Sequence, residues 1–296
     1  MNQFPAQFQD KVVLGDVMET LRALPDNCLH MIYGDPDYGV GINYAGKKYT
    51  QRWEEYIGWY VELATECMRV LRDDGNLFFI NYPRQNSYLR VRCLDDLAYE
   101  VFDYVWVYPT NVGHTPRRFT TAHRSVLHAV KSKKNAFYKE QVALPYKNPE
   151  DRRIKGRLAN GSNGRMPYSW FEFNLVKNVS KDKTFHACQI PIPLYNMLLK
   201  ASTVEGDHVF VLFGGSGSEV VHTEQLCRTY LSCEIHPGYH QMIVERLSNN
   251  GHISSEHRIE MRDERSAFWH LPEQESLLGG FPPRQLQFPA ETSQHE

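Results

Sequence analysis

The sequence predicts an α/β protein built on an open, mostly parallel sheet with helices on both faces, interrupted by a basic segment. Three observations predict it. Between residues 11 and 107, apolar runs of strand length alternate with stretches whose apolar residues recur every three or four positions, as strand–helix–strand units around a parallel sheet require. Across 110–185 that rhythm stops in a stretch rich in Arg, Lys, Asn, Gly and Pro. From 192 to 247 it resumes. A chain of 296 residues holds one large domain or two modest ones, and the interrupted pattern favours one domain with an insert.

Residues 11–14 form a short strand. A helix follows over 16–24, capped by Asp16, with Val17, Leu21 and Leu24 on one face. The run 29–33 stops at Gly34-Asp35-Pro36 as a buried parallel strand would. In 51–71, Trp53, Ile57, Tyr60, Ala64, Cys67 and Leu71 make one helical stripe, and Asp73-Asp74-Gly75 is expected to end it. Strands are expected at 77–80 and 101–107 around a helix at 86–97, and 124–130 reads as a further strand. After the basic stretch come a helix at 192–201, a strand at 208–213, a helix at 218–228, a strand at 230–234 and a helix at 238–247. The segment beyond 251 carries Pro, Gln and Glu with little periodicity, which marks a partly disordered extension.

Composition excludes several classes. Lys plus Arg total 33 against 35 for Asp plus Glu, a net charge of −2, so the chain is neither histone-like nor an acidic disordered polymer. No run approaches the ~20 apolar residues of a membrane span, and residues 1–10 lack a basic-then-apolar leader. No membrane association and a cytoplasmic location are therefore expected. The cysteines, Cys28, Cys67, Cys93, Cys188, Cys227 and Cys233, form no C-x-x-C pair. They read as reduced core thiols of an intracellular protein, with no metal site. His236 and His240 stand four apart, a spacing more often found on a helix surface than at a metal.

Two motifs carry chemistry. Asp35-Pro36-Asp37-Tyr38 stands past the carboxyl end of a strand, the edge where open α/β sheets bind ligands. The Asp35 carboxylate and Pro36 carbonyl are two acceptors for an NH2 group, and Tyr38 offers a flat ring, a set that suits a planar aromatic amine such as a nucleobase. In isolation the four residues also read as a turn. The second motif, Phe213-Gly214-Gly215-Ser216-Gly217, is a glycine-rich strand-to-helix turn that brings backbone N–H groups close to a ligand. Glu234 ends the next strand, about 20 residues later, where an acidic side chain accepts ribose hydroxyls; alone, it reads equally as a helix-start carboxylate.

Gly34-Asp35-Pro36-Asp37-Tyr38 with Gly39 and Tyr44 resembles the catalytic motif of amino-group DNA methyltransferases, usually Asp-Pro-Pro-Tyr. The lead-in, Leu14-Gly15-Asp16 through Leu24-Pro25-Asp26 to Tyr33, is similar too. The resemblance implies a Rossmann-like fold in which Asp35 and the Pro36 carbonyl hold the target amine and Tyr38 stacks on a flipped base. The glycine turn resembles the family's S-adenosylmethionine loop, Phe-x-Gly-Ser-Gly, and the likeness continues through Arg228-Thr229-Tyr230, Glu234, Gly238-Tyr239 and Arg246-Leu247. Phe185-His186-Ala187-Cys188-Gln189-Ile190-Pro191 resembles the segment bordering the cofactor's methionyl end. The resemblance thus implies Asp16, Asp35, His186, Gln189, Phe213, Gly215, Ser216, Gly217 and Glu234 as cofactor residues. Asp16 also reads as a helix cap, and His186 and Gln189 as residues leading into a helix. This chain departs from the family at Asp37 (usually Pro), at Val211-Leu212 (usually Asp-Pro) and at Ile190 (usually Lys).

With the catalytic motif ahead of the cofactor loop, the chain resembles the permuted group of adenine-N6 and cytosine-N4 enzymes over about residues 10–250. Asp as the first motif residue leans toward adenine. The expected organisation is a catalytic half at 10–116, a target-recognition segment at 117–184, a cofactor half at 185–250 and an extension at 251–296. Residues 117–165 hold thirteen Lys or Arg against three acidic residues, a surplus of +10, while the rest of the chain carries 20 basic and 32 acidic residues. A charge run is commonly a solvated face. Beside these motifs it reads as phosphate contact with double-stranded DNA by Arg117, Arg118, Lys133, Lys134, Arg152, Arg153, Lys155 and Arg157. Tyr168, Trp170 and Phe171 read as core or as rings that splay the strands.

The reading is an S-adenosylmethionine-dependent DNA methyltransferase of a restriction–modification kind, a monomer or homodimer, acting on adenine N6. Its alternatives are cytosine N4, or a DNA-binding protein that lost catalysis on the same scaffold.

Overall fold

A computed structural model of the chain describes residues 2–39, 43–44, 47–48, 52–109, 116–176, 184, 186 and 188–252. Nearly all of the C-terminal extension lies outside the described residues. The first strand, β1 (Lys11–Leu14), leads to α1 (Val17–Ala23), whose first turn is capped by Asp16 accepting from the Met18 N–H at 2.7 Å. Then come the buried strand β2 (Leu29–Gly34), a small antiparallel ribbon of β3 (Asn43–Tyr44) and β4 (Lys47–Lys48), the long helix α2 (Trp53–Val70) and strand β5 (Leu71–Asn81). Helix α3 (Pro83–Leu89) starts on a proline, whose missing N–H costs nothing at a helix start. It passes through a π turn at Arg90–Leu94 into α4 (Asp95–Leu97). Strands β6 (Glu100–Val107) and β7 (His123–Val130) follow, then α5 (Arg152–Ala159) and β8 (Trp170–Glu172). The chain continues with α6 (Ile192–Ser202), β9 (His208–Val211), α7 (Ser218–Gln225), β10 (Thr229–Glu234) and α8 (Pro237–Ser248).

Eight strands form one sheet in the order β1-β10-β9-β2-β5-β7-β6-β8. From β1 to β5 all neighbours are parallel; β7 is antiparallel to both β5 and β6, and β8 is parallel to β6. The strand–helix–strand unit from β5 to β6 is therefore parallel as expected, with β7 slotted between its strands.

One local expectation is corrected. Asp73-Asp74-Gly75 does not end the helix; α2 stops at Val70 and β5 begins at once. These residues form an irregularity in β5, where pairing with β2 jumps from Leu29↔Leu71 to Met31↔Asn76. Arg72 closes it by pairing with Asp74 at 2.8 Å, and a Cβ on Gly75 would sit 3.0 Å from the His30 carbonyl oxygen. The acidic pair and the glycine therefore serve a bulged strand. The strand expected at 124–130 within the stretch 117–184 is present as β7. Its Val126, Leu127, Ala129 and Val130 are buried mid-sheet.

Alternation along the strands divides the core in two. Ile32, Leu77, Phe79, Phe210 and Leu231 face α1, α2 and α3, while Met31, Tyr33, Phe78, Val209 and Val211 face α6, α7 and α8. Cys28, Cys67, Cys93 and Cys233 are buried, but Cys188 is partly buried and Cys227 exposed, so the core-thiol expectation holds for four of the six. Among the described residues no helix is long and apolar enough to cross a membrane, and no cluster of three or more His, Cys, Asp or Glu is placed to hold a metal.

Candidate active site

Strands β2 and β9 lie side by side, with Met31 opposite Val209 and Tyr33 opposite Val211. From this seam the chain moves outward in opposite directions, from β2 to β5 and from β9 to β10. The reversal leaves a crevice at the strands' carboxyl ends, the place where ligands enter such sheets. Both motifs emerge there, and the Leu212 N–H donates to the Tyr33 carbonyl at 2.9 Å, stitching the two loops at their roots.

The crevice holds a cavity of about 460 Å³, within the usual range for small-molecule sites. It brings together Asp16, Asp35, His186, Phe213, Gly215, Ser216 and Glu234 from the expected set. Pro36, Tyr38, Gln189 and Gly217 are not among its lining residues. Gly217, at φ +73°, is the N-cap of α7. Gln189 donates to Ser218 Oγ at 3.0 Å and accepts from the Thr184 N–H at 3.1 Å, bracing the glycine turn. Ile190 and Val211 are core residues, 3% and 0% exposed, and offer nothing to a polar ligand.

Asp35 is half-buried, and Tyr38 donates its hydroxyl to Asp35 Oδ1 at 2.6 Å. Burial pushes the Asp35 carboxyl up to about 7, against the Tyr38 hydrogen bond, with the Glu219 charge adding to the rise and Arg124 opposing it. The Tyr38 ring is 3% exposed, edge-on to Tyr82 at 5.2 Å, and its carbonyl accepts from Gln85 at 2.8 Å. Tyr38 thus orients the carboxylate, and it is not among the residues that line the cavity. Asp37 takes the Tyr56 hydroxyl on its carbonyl at 2.8 Å, and Tyr56 in turn accepts from Asn81 at 2.9 Å. Asp37 Oδ1 is buried without a hydrogen-bond partner among the described residues, and burial lifts this carboxyl to about 6.

On the cofactor side, Gly215 has φ +52°, a left-handed conformation, and a Cβ there would lie 3.1 Å from His186 Nε2. Its N–H donates to Glu234 Oε2 at 2.8 Å while the His236 N–H donates to Oε1 at 2.8 Å. Glu234 therefore locks the turn and still has acceptor capacity facing the cavity. His186 Nδ1 lies 2.6 Å from the Cys188 carbonyl, so the proton belongs on Nδ1. His236 caps α8, accepting on Nδ1 from Gly238 at 3.2 Å, which accounts for it without a metal.

Sequence reasoning missed Tyr33, Trp59 and Glu219 as wall residues. Trp59 lies beside the helical stripe read from α2. Glu219 sits in the first turn of α7, where a glutamate ordinarily faces water, yet it is 6% exposed.

The eight expected DNA-binding cations are all exposed and sit on three segments of the chain. Arg117 and Arg118 lead into β7 at the cavity edge, beside Phe119, which is 98% exposed. Lys133 and Lys134 follow β7 at its other end, where Val130 pairs with Asn76 while Ser125 pairs with Asn81. That is about five residues, or roughly 17 Å, across the sheet. Arg152, Arg153, Lys155 and Arg157 ride on α5, between the bridged residues Leu144 and Arg165. Lys155 is paired with Glu150 at 2.6 Å. Of the three aromatic residues, Phe171 packs edge-on against Tyr104 at 5.7 Å, while Tyr168 and Trp170 are 54% and 52% exposed.

Comparison with known proteins bears on the family and the fold. The chain is 27% identical over 253 residues to the type II methyltransferase M.HpaI of Haemophilus parainfluenzae, covering 84% of this chain and 78% of that one. It is 24% identical to the DNA adenine methyltransferase YhdJ of Escherichia coli K12, covering 83% and 85%. Its fold is similar to that of the cytosine-N4-specific PvuII DNA methyltransferase, with a TM-score of 0.63 at 18% identity over 86% of this chain and 91% of that one. It is also similar to M1.HpyAVI in complex with SAM, with a TM-score of 0.55 at 18% identity over 80% and 98%. The family model for DNA methylases matches residues 29–245, from the first residue of β2 into α8, and so spans both motifs; the chain belongs to the N6/N4 DNA methylase family.

Proposed function

We propose that the cavity binds S-adenosylmethionine and that the chain methylates an exocyclic base amine in double-stranded DNA, adenine N6 rather than cytosine N4. One observation carries the cofactor assignment: among the described residues, the cavity wall includes five carboxyl groups, Asp16, Asp35, Asp37, Glu219 and Glu234, and no Lys or Arg. A phosphate-bearing dinucleotide would be repelled there, whereas a ligand with a sulfonium and an ammonium is attracted. Glu234 would hold the ribose hydroxyls. The Gly215 backbone, kept clear of a Cβ, permits close approach, and Phe213 and Trp59 give apolar contact. When bound, S-adenosylmethionine supplies an electrophilic methyl group.

The protein's part is positioning and electrostatics. The Asp35 carboxylate and Pro36 carbonyl accept the two N–H groups of the amine and turn its lone pair outward. Tyr38 fixes the carboxylate's orientation. A carboxyl that titrates near 7 then takes up the proton that the methylated amine sheds. The adenine preference rests on Asp at position 35 and on the similarity to an adenine methyltransferase. The loop carrying Arg117 and Arg118 is the segment best placed to meet DNA; Lys133 and Lys134 serve the opposite edge. The type II relatives favour a restriction–modification role, in the cytoplasm.

The test is methyl transfer to unmodified DNA followed by base-resolved sequencing. N6-methyladenine in wild-type reactions and none with Asp35→Ala is expected; N4-methylcytosine would overturn the adenine assignment. DNA binding without transfer would overturn the enzymatic one.

A further inference from the structure

Family members carry Asp-Pro ahead of the cofactor loop, and this chain carries Val211-Leu212. Val211 is wholly buried in the core beneath α6, α7 and α8, so the cavity receives no carboxylate from β9. Of the other four wall carboxylates, Asp37 lies on the loop after β2, takes the Gly39 N–H on Oδ2 at 3.3 Å and keeps Oδ1 without a partner among the described residues, and three are otherwise engaged. Asp16 caps α1, Glu234 accepts two backbone N–H groups, and Asp35 accepts Tyr38 and faces the target amine.

Glu219 takes its own backbone N–H, and no hydrogen bond from another side chain reaches its carboxylate among the described residues. It is 6% exposed, lines the cavity and stands two residues past the glycine loop, in the first turn of α7. A second, independent feature lies beside it: the hydroxyl of Tyr33, wholly buried on the same wall, has no hydrogen-bond partner among the described residues. The groups electrostatically close to Glu219 are Tyr33 and Asp35 from β2 and its loop, Tyr195 from α6 and Arg246 from α8. Arg246 lowers the Glu219 carboxyl by its charge, while its N–H groups go to other acceptors. It donates to the Ser216 carbonyl, to Ser218 Oγ at 2.9 Å and to the Gly251 carbonyl at 3.2 Å. A buried carboxylate and an orphaned hydroxyl oxygen are acceptors in want of a cationic N–H donor, and an ammonium group has three N–H bonds to give.

We propose that Glu219, with Tyr33 Oη, forms the subsite for the α-ammonium group of the cofactor's amino-acid end, replacing from α7 the carboxylate that β9 lacks. The inference rests on the cavity being the S-adenosylmethionine site. Burial lifts both Glu219 and Asp35 to about 7, so an ammonium ligand must find them ionised or displace their protons, and its affinity rises with pH through that range.

Calorimetric binding of three probes to the full chain separates the possibilities. S-adenosylhomocysteine has the amine and the carboxylate, decarboxylated S-adenosylmethionine keeps only the amine, and 5′-methylthioadenosine has neither. Glu219→Gln should weaken the two amine-bearing probes by tenfold or more and change methylthioadenosine less than twofold. Glu219→Asp, which retracts the charge, should fall between. In the wild type, the preference for S-adenosylhomocysteine over methylthioadenosine should grow between pH 6 and 8, a measurement that needs no variant. Equal weakening of all three probes, no weakening, or a flat wild-type preference overturns the subsite. Failure of the wild type to bind any probe overturns the cofactor assignment itself.

Discussion

Replacing Asp35 with Asn should make the protein more stable and inactive. In the unfolded chain this carboxyl ionises near its ordinary value of 3.8; in the fold, burial holds the proton until about 7. Below pH 3.8 both states are protonated and Asp35 contributes nothing to pH dependence. Between 3.8 and 7 the unfolded state ionises while the folded state resists, so stability drains away as pH rises. Above 7 the loss is complete. At 1.36 kcal/mol per pH unit, the gap amounts to about 4 kcal/mol. Asp35→Asn removes this charge and keeps an oxygen to accept the Tyr38 hydroxyl, which lies 2.6 Å from Oδ1 in the wild type. The variant should therefore gain roughly 2–4 kcal/mol over wild type at pH 8, or on the order of 4–16 °C in Tm for a chain of this size, with much of the gain gone at pH 5. Urea unfolding of both proteins at pH 5, 6, 7 and 8 reads this directly. A gap that does not change with pH, or a variant less stable at pH 8, refutes the reasoning. Such a trade of stability for function is common where a charge must be buried.

Three further outcomes are expected. Gly215→Ala forces a Cβ onto a left-handed residue facing His186; it should lose about 1–2 kcal/mol of stability and bind S-adenosylhomocysteine at least tenfold more weakly by calorimetry. Arg124 stacks on Tyr82 at 3.8 Å and lowers the Asp35 carboxyl by its charge. Arg124→Met should therefore cost about 1–3 kcal/mol in a denaturant melt and move the acid limb of the pH–rate profile upward, and an unmoved limb would show that the charge does not reach Asp35. Arg117→Ala with Arg118→Ala should weaken DNA binding and flatten its log–log salt slope by about 0.9 for each phosphate left without its cation, whereas the Lys133→Ala, Lys134→Ala pair at the far edge should leave the slope nearly unchanged in fluorescence titrations.

The legible parts of this fold were those written in local chemistry. Asp16 before an apolar stripe announced a capped helix, and β1 begins and ends where the pattern placed it. The glycine turn and the Asp35 motif were readable because each needs particular residues at fixed spacing. What escaped was decided at long range. Asp73-Asp74-Gly75 has the composition of a helix stop, and only its neighbours, Arg72 and the His30 carbonyl, make it a bulge. The antiparallel course of β7 depends on which strands flank it, and its own sequence resembles any buried strand. Glu219 escaped because its burial comes from β2 and α6 folding over α7. The charge surplus across 117–165 was arithmetically sound, but a sum over consecutive residues ignores that β7 carries the chain from one edge of the sheet to the other.

The pairing of β1 with β10 alone has a bearing on synthesis. Lys11–Leu14 leaves the ribosome early, yet its partner, Thr229–Glu234, is made more than two hundred residues later. At roughly 5–20 residues per second, the strand waits on the order of ten seconds or more with its ladder unpaired. The seam between β2 and β9 waits almost as long, so half-made chains carry the Asp35 loop on an open sheet edge with no floor beneath it. The last quarter of the described chain thus closes the sheet and completes the site in one late step. Slow release or early termination within that quarter should favour aggregation over a partly active product, because no shorter chain contains a finished cavity.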